Sequence, residues 1–184
     1  TAYAAKVACG GHFCHITGDV SGRRVELDAD FVLIDLGAGT AFNTLDFFTL
    51  SDDGLIVCTP EPHARVDAYG FIKNTVYRKL RRKFAKNEAV KATIEQFARK
   101  SGRKSGRISE LLKLITETES EAGISAKALM ASYHPRLILN RVRYKRQIEE
   151  ARRFVALVKE FLSTEMDYVG TFPMNLFQDF LSMV

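Results

Sequence analysis

No apolar run in this 184-residue chain approaches the ~20 residues needed to cross a bilayer. No secretory signal, with its basic, apolar and small-residue regions, opens it. Cysteine is scarce. Three residues, an odd number, do not make the disulfide framework of a small secreted domain, and the expected compartment is a reducing cytoplasm. A glycine-rich phosphate loop is missing as well. Gly10-Gly11 runs into His12-Phe-Cys instead of Gly-Lys-Ser, and Gly102-Arg-Lys-Ser105 follows no buried strand. Neither spacing lets backbone N–H groups cradle a phosphate at a helix start. Zinc is also poorly served. Cys9, His12, Cys14 and His15 crowd four donors into one short stretch at spacings unlike those of known zinc pairs. A strand-turn segment leading to Val25 and Leu27 accounts for them better.

What is present is ordinary for a globular domain with a real core: 46% hydrophobic and 27% charged residues in a length that suits one domain. The charge is uneven. Net charge is +5 overall, but residues 73–107 hold 13 Lys/Arg against 2 Asp/Glu, a local +11, and the remainder is −6. Two readings stand: a surface for an anionic partner, DNA or an acidic membrane surface, or a solvated helical face ending in a Ser/Gly linker. Aromatics thin out after Tyr77 and Phe84, with Phe97 alone beyond them, so base stacking on single strands is not favoured.

The densest chemical signal lies in Asp30-Phe-Val-Leu-Ile-Asp-Leu-Gly-Ala-Gly-Thr40. The four apolar residues Phe31 to Ile34 predict a fully buried strand of a parallel sheet. Asp35 ends the run, and Gly37 and Gly39 follow it. Ligands of open α/β sheets collect at the carboxyl ends of strands, where a carboxylate beside glycines suits a water-coordinated Mg²⁺ near a nucleotide phosphate. The plainer alternative is that Asp35 caps the helix beginning near Ala41.

Leu55 to Cys58 predicts a second buried strand, closed by Pro60-Glu-Pro62. Tyr69, Ile72, Val76, Leu80 and Phe84 then mark one apolar helix face. Leu137-Ile-Leu-Asn140 predicts a third strand, followed by a helix striped by Ile148, Ala151, Val155, Val158 and Leu162. Tyr168 to Pro173 predicts a fourth, with a partial helix from Asn175 to Val184 after it. Strands alternating with helices imply an α/β fold, a mostly parallel sheet flanked by helices. Residues 85–135 predict a basic helical insertion. Ile94, Phe97 and Ala98 mark one face; Ile108, Leu111, Leu112 and Ile115 mark another; a short helix starts at Ser125 and ends before Pro135. His63 and His134 sit at helix boundaries, and Glu61 at a strand end.

These landmarks, in order, resemble MinD/ParA ATPases of the P-loop class, nearest to the FlhG-like and MinD-type branch. They are the Asp30–Thr40 segment, Leu45-Asp-Phe, Ser51-Asp, Ile56-Val-Cys-Thr-Pro-Glu-Pro62, Asp67-Ala-Tyr-Gly-Phe-Ile-Lys73, Leu137-Ile-Leu-Asn-Arg141 and Gly170-Thr-Phe-Pro-Met-Asn175. The resemblance covers roughly residues 28–78 and 136–180. It implies ATP and Mg²⁺ as cofactors, with Asp35 as the Walker B carboxylate holding Mg²⁺ through water. It makes Gly37 and Gly39 the nucleotide-sensing turn, places Asn140 and Arg141 at adenine, and sets Pro173 near the base. It further implies a homodimer in the intact protein and a cargo whose identity the sequence does not give.

The departure is the missing Lys-Gly-Gly-x-Gly-Lys-Ser/Thr loop. The chain is therefore expected to be one partial nucleotide-binding domain, the C-terminal part of an ATPase switch, with no turnover by itself. The other function class is a non-catalytic binding or scaffold module without a phosphate loop; upstream sequence distinguishes the two. In the resemblance a strand lies between the Asp30 and Asp53 strands. Without it, the gap is expected to lead to oligomers, poor solubility or closure by residues 3–9.

Overall fold

The computed structural model describes residues 4–9, 12–17, 33–37, 39–50, 54–101 and 106–174. The chain divides into two compact units, Thr1–Leu50 and Ser51–Val184.

The first unit holds β1 (Ala4–Cys9), β2 (His12–Thr17), β3 (Leu33–Asp35) and α1 (Phe42–Phe48). Its sheet has the order β2-β1-β3 and is antiparallel throughout, with Val7 opposite Cys14 and Ile34. The Asp30 run therefore differs from its expected form. Its described part is three residues long, antiparallel to β1, and Ile34 is 37% exposed. An apolar run gives a strand but not the direction of its partner, and here residues 4–9 supply that partner. They line β3, whereas β4 of the second unit pairs only with β5 among the described residues. Phe31 and Val32 lie outside the described residues. Gly39 has φ 113°, a conformation that glycine alone adopts without strain. The N-cap of α1 is Ala41, with no side-chain cap, so Asp35 does not cap the helix.

The second unit is α/β. Its strands are β4 (Leu55–Cys58), β5 (Arg136–Val142) and β6 (Asp167–Pro173), parallel and in the order β4-β5-β6. Five helices accompany them: α2 (Pro62–Lys83), α3 (Glu88–Ser101), α4 (Ile108–Thr118), α5 (Ser120–Ser132) and α6 (Lys145–Leu162). Local chemistry sets their ends. Pro62 opens α2, where its missing N–H costs nothing, and Arg81, Arg82 and Lys83 complement the dipole at the other end. Asn87 Oδ1 accepts the Val90 N–H at 3.1 Å at the start of α3. Gln147 Oε1 accepts the Arg143 and Tyr144 N–H groups at 2.7 and 3.0 Å and fixes the entry to α6. Ser163, at φ 52°, ends α6 in the left-handed region.

Ile72, Val76, Leu80 and Phe84 of the α2 stripe are buried, as are Ala151, Phe154, Val158 and Leu162 of α6. α2 packs on β4, α6 on β5 and β6, and α2 and α6 on each other, so both helices cover the same face of the sheet. Ile56 and Cys58 point into that layer, whereas Leu55 and Val57 are 49% and 57% exposed. β4 is thus half-buried rather than buried on both faces. The insertion is helical as expected, with α3 on α4 and α4 on α5. The last helix begins at Ser120, not Ser125. Gly123, which weakens the helical pattern, is retained inside it because α4 leaves no room for a side chain there.

Cys58 lies in the buried layer, and that burial pushes its thiol up to about 11, against a downward pull from Arg65. Below the ordinary thiol value of 9.0 the group is neutral whether the chain is folded or not. As pH rises from there through about 11, the unfolded chain releases the proton first, so the folded state loses stability across that window. In a Cys9→Ser/Cys14→Ser background, we expect Cys58 to resist a thiol-specific disulfide reagent at pH 8 and to react at once in denaturant. Equal rates in the two conditions would place the thiol in solvent.

Candidate functional site at the carboxyl edge of the parallel sheet

Parallel strands aim their carboxyl ends to one edge, and the helices that follow begin there. At this edge Thr59, Pro60 and Glu61 follow β4, Asn140 and Arg141 lie in the last turn of β5 with Arg143 just beyond, and Pro173 ends β6. The pairing of β5 with β6 slips between Leu139 and Val142. Within that bulge Arg141 takes φ 62°, a left-handed conformation costing a non-glycine residue about 1 kcal/mol. Bulges at sheet edges re-aim side chains. Here Asn140 is half-buried and Arg141 exposed. Val142 pairs with Pro173, and the Met174 N–H donates to the Val142 carbonyl at 3.0 Å. Arg143 Nε reaches Met174 Sδ at 2.7 Å.

Glu61 connects the edge electrically. Its carboxyl is held below the usual range, first by a hydrogen bond from the Thr59 side chain and then by its own backbone N–H. Arg141 and Arg143 lower it further, while desolvation opposes. Glu61 thus feels the two guanidiniums only at a distance, and neither arginine has a carboxylate within ion-pair distance among the described residues. Lys145 and Arg146 open α6, with no acidic residue in its first turn, and the Arg146 guanidinium lies 5.3 Å from the centre of the Tyr144 ring. Cations at the positive end of a helix are electrostatically unfavourable. The edge therefore carries an excess of positive potential suited to an anion.

Of the residues expected from sequence, this edge brings together Asn140, Arg141 and Pro173. Asp35, exposed at the end of β3, belongs to the other unit with Gly37 and Gly39. Among the described residues no group of three or more His, Cys, Asp or Glu side chains is placed to hold a metal ion. The backbone pairs Cys9 with His12; the side chains of that hairpin lie outside the described residues. Thr59 and Arg143 carry no motif of their own in the sequence. The signal that finds them is position, since each flanks a strand end.

Folding buries or pairs part of the basic block. Lys79 is 8% exposed, with Nζ 5.0 Å from the centre of the Tyr133 ring. Arg81 Nε lies 2.7 Å from Glu95, Lys91 3.3 Å from Glu88 and Arg107 2.7 Å from Glu160. Lys73, Arg78 and Arg82 have partners too. Among the described residues of the block, exposed Lys83, Lys86, Arg99 and Lys100 remain; Arg103 and Lys104 lie outside the described residues. No described helix is long and apolar enough to cross a membrane.

Compared with known proteins, the chain matches no family model, no curated protein and no solved structure.

Proposed function

We propose that this chain is the strand-and-helix portion of a nucleotide-dependent switch of the MinD/ParA kind, and that the carboxyl edge of β4-β5-β6 receives the base end of ATP. The observation supporting this most is the convergence there of Asn140, Arg141 and Glu61 beside a left-handed bulge. The half-buried Asn140 amide supplies both a donor and an acceptor for a base edge. Arg141 and Arg143 supply charge for the ribose-phosphate side. Asp35, Gly37 and Gly39 enter through the sequence resemblance: Asp35 would hold Mg²⁺ through water, and the ion would neutralise charge on the phosphates. Dimerisation and cargo control follow from the same resemblance. Exposed Lys83, Lys86, Arg99 and Lys100 are what the basic block offers an anionic partner. By itself, without a phosphate-cradling loop, the chain binds and does not hydrolyse.

Titration of the 184-residue chain with ADP and ATP, followed by backbone amide NMR, tests this. Shifts should centre on residues 59–61 and 140–143. Asn140→Ala should weaken binding about tenfold, the loss of one base-edge hydrogen bond at about 1.4 kcal/mol. Arg141→Gly should weaken it similarly without lowering stability, because it relieves the left-handed strain while removing the charge. Shifts elsewhere, or none, would sink the assignment.

A further inference from the structure

Away from the sheet edge, α2 and α6 form the walls of a groove of about 690 Å³. Pro62, Val66 and Tyr69 line one wall at i, i+4 and i+7; Phe154, Leu157 and Phe161 line the other at i, i+3 and i+7. Val66 is 68% and Leu157 42% exposed. Two stripes at helical spacing make a trough whose length, about two turns or ~11 Å, accommodates a third helix packed ridge into groove.

The polar groups say which kind of helix. Arg65, Arg153 and Glu150 are the charged residues lining the groove. Arg65 reaches Glu150 at 3.4 Å, but its Nε is buried and has no acceptor among the described residues. Arg153 is exposed, with no carboxylate in ion-pair range among those residues. The lining thus sets two guanidiniums against one carboxylate, so the groove is short of negative charge. A second copy is a poor supplier. A symmetric contact sets the same two guanidiniums and one carboxylate against themselves and leaves the contact with excess positive charge.

We propose that the α2–α6 groove docks an amphipathic helix of a partner protein, whose apolar stripe seats between Val66 and Leu157 and whose flanking carboxylate meets Arg65 and Arg153. This is helix-in-groove recognition, with charge setting partner choice. It does not rest on the nucleotide reading: Pro62 adjoins Glu61 at the strand end, but the other lining residues lie further along α2 and α6.

The test uses the full chain and two fluorescein-labelled synthetic peptides of about fifteen residues, a length at which a helix is marginal alone. Both carry a leucine stripe at i, i+3, i+4 and i+7. One is flanked by glutamates, its twin by lysines. The acidic peptide should bind about tenfold more tightly at low salt, one charge-assisted contact's worth, and the difference should shrink as salt rises. Arg65→Gln with Arg153→Gln should bring the two peptides together, and Leu157→Asp should abolish binding of both, with circular dichroism confirming that each variant is folded. Equal binding of the twins, no binding, or binding that survives Leu157→Asp would overturn the proposal. So would a concentration-dependent dimer lost in Leu157→Asp, which would make this a copy-to-copy face. Decanoate binding where neither peptide binds would assign the groove to a small amphiphile and overturn it as well.

Discussion

Lys79→Glu should lower stability by about 3–5 kcal/mol, the cost of an uncompensated buried charge, while Lys83→Glu, four residues on, should change it by no more than about 0.5 kcal/mol. Both lysines belong to the same basic run, and composition does not distinguish them. Their surroundings do. Lys79 is 8% exposed, and its ammonium lies 5.0 Å from the centre of the ring of Tyr133, which is fully buried. That ring is held in place through its backbone, since the Thr164 hydroxyl donates to the Tyr133 carbonyl at 2.5 Å. A carboxylate at this position would bury a charge against the negative face of an aromatic ring. Lys79→Met keeps the aliphatic packing and loses the cation–π contact, so it should cost about 1–2 kcal/mol. Urea unfolding followed by circular dichroism should rank the variants Lys79→Glu, Lys79→Met, Lys83→Glu in decreasing damage. Equal midpoints for the two glutamate variants would put Lys79 on the surface. The same comparison governs any test of anionic binding. Charge removal must be confined to exposed positions such as Lys83, Lys86, Arg99 and Lys100, or lost binding will only report lost fold.

The second large effect is a reversal of sign between two helical glycines. Alanine in place of an exposed helical glycine gains about 1 kcal/mol of helix propensity. Gly70 in α2 has nothing within 4 Å of where a Cβ would sit, so Gly70→Ala should stabilise by about 0.5–1 kcal/mol. Gly123 in α5 has no such room. A Cβ there would lie 2.7 Å from the Thr116 Cα and closer still to the Thr116 hydroxyl, which itself donates to the Leu112 carbonyl at 2.7 Å. No rotamer change moves a backbone atom, so α4 and α5 must separate. Overpacking of this kind costs about 1–3 kcal/mol, which outweighs the propensity gain. Gly123→Ala should therefore destabilise the protein by about 1–2 kcal/mol, read as a lower midpoint at unchanged denaturant slope. A neutral or stabilising result would show that the two helices are less closely apposed.

Periodicity made much of the second unit legible. The α2 and α6 stripes repeat at helical spacing over several turns, and such repeats survive any detail of packing. The short apolar runs at Leu55, Leu137 and Tyr168 alternate with those helices, which is enough to imply parallel pairing. Where a run stood without that context, sequence was weaker. The Asp30 run gave a strand but not its antiparallel neighbour, because four apolar residues look the same in either direction. Ser125 was a poor helix start because Gly123 lowers local propensity, and only the contact with Thr116 explains why the helix passes through it.

The site divides in the same way. Asn140, Arg141 and Pro173 are visible in the sequence because they end strands. The coupling of Glu61 to Thr59, Arg141 and Arg143 is not, since those residues come from two strands separated by the whole helical insertion. The amino-acid sequence by itself determined the element types, the order of β4, β5 and β6 along the chain, and the absence of a phosphate-cradling glycine loop. These are properties of local spacing and composition. Tertiary structure alone decided that Lys79 is buried while Lys83 is not, that β4 is covered on one face, that Arg141 adopts a left-handed turn, and that α2 and α6 leave an apolar groove with two guanidiniums against one carboxylate. Of the two guanidiniums at that groove, Arg65 is paired with Glu150 and only Arg153 lacks a carboxylate among the described residues. Each of these features depends on which distant residues share a space, and a one-dimensional pattern does not carry that information.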